Sequence, residues 1–155
     1  MTASRAIVYG GLANGALDLL DAFVFFGLRS GAQPMGILHG IAAGWLSREA
    51  ARAGGATTAA LGLASHFLIA FIIATIYILA SRALPPLRQR WLICGIAYGI
   101  TAYVVMTWFV VPMSAAGNGQ ITFALPATAV LTNGILIHAF GVGLPSAYFA
   151  SRVGS

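Results

Sequence analysis

Four long apolar runs dominate the hydropathy pattern of this chain of 155 residues. They cover approximately residues 6–28, 57–80, 91–111 and 128–150. Each run reaches the roughly 20 residues that an α-helix needs to cross the hydrocarbon of a bilayer. The runs are continuous and do not alternate apolar with polar positions, which excludes the strands of a transmembrane barrel. The pattern therefore predicts an all-α polytopic membrane protein, with four transmembrane helices in a single membrane domain.

A shorter and more polar segment, over about residues 35–52, lies between the first two runs. Its apolar positions follow helical spacing, and Arg48 and Arg52 lie near its end. The segment is too short to span a bilayer, so it predicts an interfacial amphipathic helix, with a re-entrant helix as the alternative. Trp45, Arg48 and Arg52 are then expected at the membrane surface. His39, in the same segment, is expected to be solvated near the lipid headgroups.

The composition agrees with lipid as the main solvent. Hydrophobic residues make up 59% of the chain and charged residues 7%, whereas a soluble domain has about a quarter charged. The net charge of +5 comes from eight arginines that form no basic face, so nucleic acid is not an expected partner. Five arginines flank one side of the predicted membrane and three the other, which places both termini in the cytoplasm by the positive-inside rule. The five are Arg5, Arg82, Arg88, Arg90 and Arg152, and the three are Arg29, Arg48 and Arg52.

Short matches between the two halves of the chain suggest a tandem repeat of a helical hairpin. Glycine pairs spaced by four residues open the first and third runs, a glycine precedes a histidine by four residues in the second and fourth, and Ala-Ser-Arg closes both halves. Small residues at this spacing let helices approach closely. The glycines predicted to serve packing are Gly11, Gly15, Gly62, Gly95, Gly99 and Gly134.

Asp18 and Asp21, two of the three acidic residues of the chain, lie inside the first apolar run. Each is expected to cost about 2.5 to 3.5 kcal/mol near the centre of a membrane helix, so both should be turned away from lipid. Three residues apart, they share one side of the helix, separated by a rise of about 4.5 Å. One hypothesis is a proton or cation site. The other is that they only hydrogen-bond neighbouring helices.

His66 and His138 fall at nearly the same predicted membrane depth as the two aspartates, so the four side chains are able to converge in a bundle. Donation from each imidazole to a backbone carbonyl or a carboxylate is the simplest use. A metal held by His66, His138 and Asp21 is one alternative. A haem ligated by the two histidines is another, with Gly62 and Gly134 making room for the macrocycle. Cys94 is the single cysteine, which excludes a multi-thiolate metal site.

Through three motifs, the chain resembles a group of small four-helix inner-membrane proteins of bacteria, the uncharacterised YagU-like family. They are Gly-Leu-Ala-x-Gly-x-x-Asp from Gly11, Leu-Gly-Leu-x-x-His-Phe-x-Ile-Ala from Leu61, and His-x-x-Gly-Val-Gly-Leu-Pro from His138. The resemblance implies the four-helix topology and the bacterial cytoplasmic membrane as location. It implies no activity.

The leading functional hypothesis from the sequence is a non-enzymatic membrane protein that binds or conducts a small cation, foremost H⁺. Asp18 and Asp21 are its exchangeable acids, and His66 and His138 their partners. A structural or accessory subunit, whose polar residues only lock helices, is the second hypothesis, and a haem or metal electron-transfer protein the third. No nucleophile and base stand in a spacing typical of an enzyme. The expected partners are the lipid bilayer and either a second copy or a larger membrane complex.

Overall fold

A computed structural model describes residues 1–117, 119–121 and 123–154, and every regular element in this part of the chain is helical. Four helices are long and apolar enough to cross a membrane: α1 (Ala3–Ser30), α4 (Gly55–Ala83), α6 (Trp91–Met113) and α7 (Thr128–Ser151). The remaining helices are α2 (Pro34–Ala42), α3 (Arg48–Ala53) and α5 (Pro86–Gln89). The prediction of an all-α fold with four spans is confirmed.

The helix ends follow from local sequence. The Thr2 side chain accepts a hydrogen bond from the backbone N–H of Arg5 and caps the start of α1. Gly31, with φ of 68°, ends α1 in the left-handed conformation that glycine adopts without strain. The Pro85-Pro86 pair follows the end of α4, because proline cannot continue the hydrogen bonding of a helix.

The segment predicted as one helix over residues 35–52 differs from that prediction, because it forms two helices. The turn after Ala42 separates α2 from α3, and the side chain of Ser47 caps α3 by accepting from the N–H of Ala50. The α2 helix packs along α4, where the backbone at Leu38 lies so close to Gly62 that a Cβ there would clash. His39 is 9% exposed and bonds through Nε2 to the carbonyl of Gly55 (2.8 Å). The expectation of a solvated His39 is therefore wrong, since tertiary packing supplies its partner.

The long helices leave one side of the bundle open. The α7 helix packs against α1, α4 and α6, and α1 also packs against α4. By contrast, α4 and α6 make few direct backbone approaches to each other. We call the end where α1 begins and α7 ends the termini end, and the opposite end the distal end. At the termini end, a side-chain contact between Tyr77 and Tyr98 bridges α4 and α6, with ring centroids 5.0 Å apart.

All six glycines named above lie at close approaches, where a Cβ would meet a neighbour. In the first hairpin, Gly11 and Gly15 face the rings of Phe71 and Phe67 on α4. In the second, a Cβ at Gly99 would clash with the carbonyl of His138, and one at Gly95 would lie 2.8 Å from Ala147 Cβ. Gly62 contacts the α2 backbone and Gly134 contacts the Tyr103 ring. Matching positions of the two hairpins are thus all closely packed, but against different kinds of neighbour, and the repeat itself stays a prediction.

The compact core lies toward the termini end, where small residues let the helices meet. It contains Ala6, Ala74, Tyr77, Ile78, Ala147 and Ala150, each 2% exposed or less. Large apolar side chains cover the outside instead, among them Leu28 (86% exposed) and Ile93 (72%). Apolar surface on this scale would be an aggregation liability in water and is what a lipid-facing surface requires. The chain is a membrane protein.

Candidate functional site

A cavity of about 700 Å³ lies in the distal half of the bundle, along the side where α4 and α6 separate. Side chains of α1, α2, α4, α6 and α7 all line it. Most of the lining is apolar, and its acidic and imidazole side chains are Asp18, His66 and His138. At 1.5 Å per residue, these three lie about 15 to 18 Å from the distal ends of their helices. The cavity therefore brings together three of the four residues predicted from the sequence.

Asp18 and His138 face each other across the α1–α7 interface. His138 Nδ1 lies 3.7 Å from Asp18 Oδ1 and 3.0 Å from the carbonyl oxygen of Gly134. A carbonyl only accepts hydrogen bonds, so Nδ1 carries the hydrogen in the neutral ring and Nε2 carries the lone pair. At 3.7 Å the carboxylate is beyond hydrogen-bond distance but within reach of an ion pair once His138 is protonated.

His66 is held by the partner helix in the first hairpin. Its Nε2 donates to the carbonyl of Gly15, 2.9 Å away on α1. That contact fixes the hydrogen on Nε2 and leaves the lone pair of the neutral ring on Nδ1. The two histidines do not bond each other. Each is oriented by a backbone carbonyl and keeps one nitrogen able to take up a proton.

Asp21 does not join the other three residues. Its Oδ2 accepts a hydrogen bond of 2.6 Å from Nδ2 of Asn133 on α7, and it lines a separate shallow pocket beside Arg29. Residues three apart are turned by about 60° around a helix, which is enough to place them on different sides of a crowded interface. The expected convergence of Asp18 and Asp21 on one site is therefore not what the structure has.

Asn14 is a buried polar residue of this region whose bonding the sequence did not reveal. It is 1% exposed and lies one turn from Asp18 toward the termini end. In the orientation that satisfies the whole amide, its nitrogen donates to the carbonyls of Gly10 (3.0 Å) and Val142 (2.9 Å), and its oxygen accepts from Ser146 Oγ (2.9 Å). Asn14 thus locks α1 to α7 beneath the cavity. An asparagine one turn from an intramembrane aspartate was the available signal.

Trp45, Arg48 and Arg52, which were predicted to lie at the membrane surface, have three different environments in the structure. Trp45 is 63% exposed and lines the cavity, and its Nε1 donates to Ser65 Oγ (2.8 Å). Arg48 donates to the carbonyl of Ala116 from Nε and a terminal nitrogen (3.3 and 3.2 Å), which ties α3 to the loop after α6. Arg52 is exposed. The α2–α3 segment therefore covers the distal end of the cavity.

Two wide, π-helical turns also line the cavity, at Met106–Val110 in α6 and His138–Gly143 in α7. Pro112 and Pro145 follow them. A proline removes one backbone donor and crowds the carbonyl four residues earlier, so the preceding turn widens. Turns of this kind are rare in helices overall, but those that occur are frequently found at functional sites. Pro145 lies inside the fourth apolar run and Pro112 directly follows the third, so both prolines were signals that the sequence offered.

The side chains predicted to hold a metal ion or a haem do not form a binding site for either one in the described residues. Within the described residues, no three His, Cys, Asp or Glu side chains are grouped closely enough to hold a metal ion, and Asp21 lies apart from His66 and His138. The space expected for a haem beside Gly62 and Gly134 is filled by the α2 backbone and by the Tyr103 ring. His66 also commits Nε2, the usual haem-ligating nitrogen, to Gly15.

Comparisons of the chain with protein-family models, with curated proteins and with solved structures give no significant match. The resemblance to the YagU-like proteins stays an expectation from the three sequence motifs.

Proposed function

We propose that this membrane protein binds and exchanges H⁺ at Asp18 and His138. The observation that carries the proposal is the placement of a carboxylate and an imidazole 3.7 Å apart in a cavity near the middle of the long helices α1 and α7. Ionisable side chains inside a membrane are rare and are associated with ion or proton pathways. Imidazole is the side chain whose charge changes closest to neutral pH, and an adjacent carboxylate offers a second position for the proton. His66, which lines the same cavity from α4, is the second proton acceptor.

The cavity favours a carrier over an open pore. Toward the termini end, the Asn14 network and the core around Tyr77 and Ile78 close the bundle. A proton bound at Asp18 has no direct path to the termini end in this conformation. Passage across the membrane therefore requires a conformational change, and the two π-helical turns are the places where helix geometry is already irregular.

The proposed role is non-enzymatic. Ser65, the hydroxyl nearest His66 in the chain, donates to the carbonyl of Leu61 (2.7 Å) and accepts from Trp45, and so is not paired with the imidazole as a nucleophile. We further propose the bacterial cytoplasmic membrane, with both termini inside. The distribution of arginines, five near the termini end and three near the distal end, supports that orientation.

Infrared spectroscopy over a pH titration of protein in bilayers tests the proposal. We expect a band of a protonated carboxyl that appears on acidification, is absent in Asp18→Asn and is altered in His138→Gln. Asp21→Asn is the matched control, because the same substitution three residues away changes a carboxylate that bonds Asn133 instead. If Asp18→Asn leaves the titrating band intact, Asp18 is not the proton site.

A structural role is the second candidate, and specific contacts favour it. Polar bonds bridge the long helices at Asn14–Ser146, Asp21–Asn133, His66–Gly15 and Tyr98–Ile73. Such bonds are worth on average about 0.6 kcal/mol each in a membrane bundle. Under this alternative, Asp18→Asn changes only the thermal stability and leaves every pH-dependent property as in the wild type.

A further inference from the structure

The cavity is far larger than the ion we propose for it. Its volume of about 700 Å³ lies within the range of roughly 300 to 1,000 Å³ typical of small-molecule sites. Binding H⁺ requires only Asp18 and His138, so most of the cavity has no role in the proposed function. The following inference rests on that function in using the same carboxylate.

Asp18 is the group with unused bonding capacity. Its side chain is 25% exposed, and in the described part of the chain no donor lies within hydrogen-bond distance of it. His138, the nearest partner, already directs Nδ1 to Gly134. An ionised carboxylate facing a mainly apolar cavity is unfavourable unless it is paired. A cationic donor group on a ligand would supply the missing partner.

The other walls suit an apolar body attached to that cation. Ile69 and Ile73 line the cavity from α4, and Ile37 and Ile41 from α2. Tyr103 also lines the cavity, and its ring packs edge-to-face on His138 with centroids 5.2 Å apart. The lining thus combines one anionic end with a long apolar wall.

The route into the cavity leads from the bilayer. Tyr98 donates to the carbonyl of Ile73 (2.7 Å), which joins α6 to α4 and closes the cavity toward the termini end. The α2–α3 segment covers the distal end through Trp45–Ser65 and Arg48–Ala116. The remaining side is the gap between α4 and α6, whose outer surfaces carry exposed apolar residues such as Leu68 and Val105.

We propose that the cavity binds a lipophilic monovalent amine that enters from the bilayer between α4 and α6, with its ammonium group paired to Asp18 and its apolar body beside Ile69 and Tyr103. The proton and the ammonium group compete for Asp18, because a protonated carboxyl has no charge to offer and a protonated His138, 3.7 Å away, would pair with the carboxylate and repel the amine. Acid therefore weakens amine binding at this site.

The test measures binding of 1-adamantylamine to the protein in lipid nanodiscs by calorimetry, with 1-adamantanol as a neutral ligand of the same shape. We expect the amine to bind the wild type at least tenfold more tightly than the alcohol. Asp18→Asn should weaken amine binding at least tenfold, and Asp21→Asn should not. Equal binding of amine and alcohol, or unchanged amine binding in Asp18→Asn, would overturn the proposal.

A pair of tryptophan variants tests the location independently of charge. Ile69→Trp fills the cavity, and its matched control Leu68→Trp adds the same ring at a neighbouring residue that is 52% exposed on the outside of α4. We expect Ile69→Trp to lose amine binding while Leu68→Trp keeps it, and amine binding retained in Ile69→Trp would place the ligand elsewhere. Infrared titration of Ile69→Trp separates the two proposals. We expect Ile69→Trp to lose amine binding and to keep the infrared band of Asp18. If the wild type itself lacks that band, the proton site is wrong, and calorimetry alone decides whether the amine binds.

Discussion

Proteoliposomes containing Asp18→Asn are expected to lose protein-dependent proton flux, whereas those containing Asp21→Asn keep the wild-type rate. Asn has nearly the shape of Asp but neither takes up nor releases a proton near neutral pH. Asp18 lies in the cavity with His138, while Asp21 bonds Asn133 in a separate pocket. The measurement is quenching of an entrapped pH dye after a pH jump, with reconstitution matched by protein content. Wild-type flux in folded Asp18→Asn would contradict the account.

The wild-type flux itself should have the character of a carrier. A closed core lies between the cavity and the termini end, so each transfer requires the bundle to rearrange. Conformational steps of this size occur in microseconds to seconds, far more slowly than ion passage through an open pore. The rate should therefore saturate with proton concentration and rise steeply with temperature.

Gly99→Ala is expected to destabilise the protein by about 1 to 3 kcal/mol, the usual effect of overpacking a tight interface. A Cβ at Gly99 would clash with the carbonyl of His138, a backbone atom that cannot move aside by rotating a side chain. The same contact sets the position of His138 beside Asp18. The measurement is thermal unfolding in one fixed lipid and detergent system.

Gly36→Ala is the matched control for that substitution. Gly36 is helical and exposed, and a Cβ there meets nothing within 4 Å. Alanine in an open helical position is favoured over glycine by roughly 0.5 to 1 kcal/mol, so this variant should unfold at the same temperature or slightly higher. Equal unfolding temperatures for Gly99→Ala and Gly36→Ala would show that α6 and α7 are not as closely packed as described.

Hydropathy predicted the four spans because the length of an apolar run directly reflects the thickness of the bilayer. The predicted bounds lie within three residues of the helix ends in the structure. The division of residues 35–52 was not predicted. It depends on a turn and a serine cap, and on the burial of α2 against Gly62, which is a tertiary contact.

The candidate site was predicted in part. Depth along the helices was sufficient to group Asp18, His66 and His138, because rise per residue is constant. The departure of Asp21 was not predicted, since a turn of about 60° matters only once the neighbouring helix supplies Asn133. The bonding of Asn14 to Ser146 was missed for the same reason: the two residues are 132 positions apart, and their pairing is decided by packing.

The central claim is that Asp18 and His138 form one proton-exchanging pair. ¹⁵N NMR of the His138 side chain in bilayers tests it most directly, with the pH titrated in the wild type, Asp18→Asn and Asp21→Asn. We expect a neutral ring with its hydrogen on Nδ1, because that atom donates to Gly134. We also expect Asp18→Asn to change how the His138 ring signals depend on pH, while the Asp21→Asn curve superimposes on the wild type. A His138 curve that is the same in all three proteins would contradict the pairing.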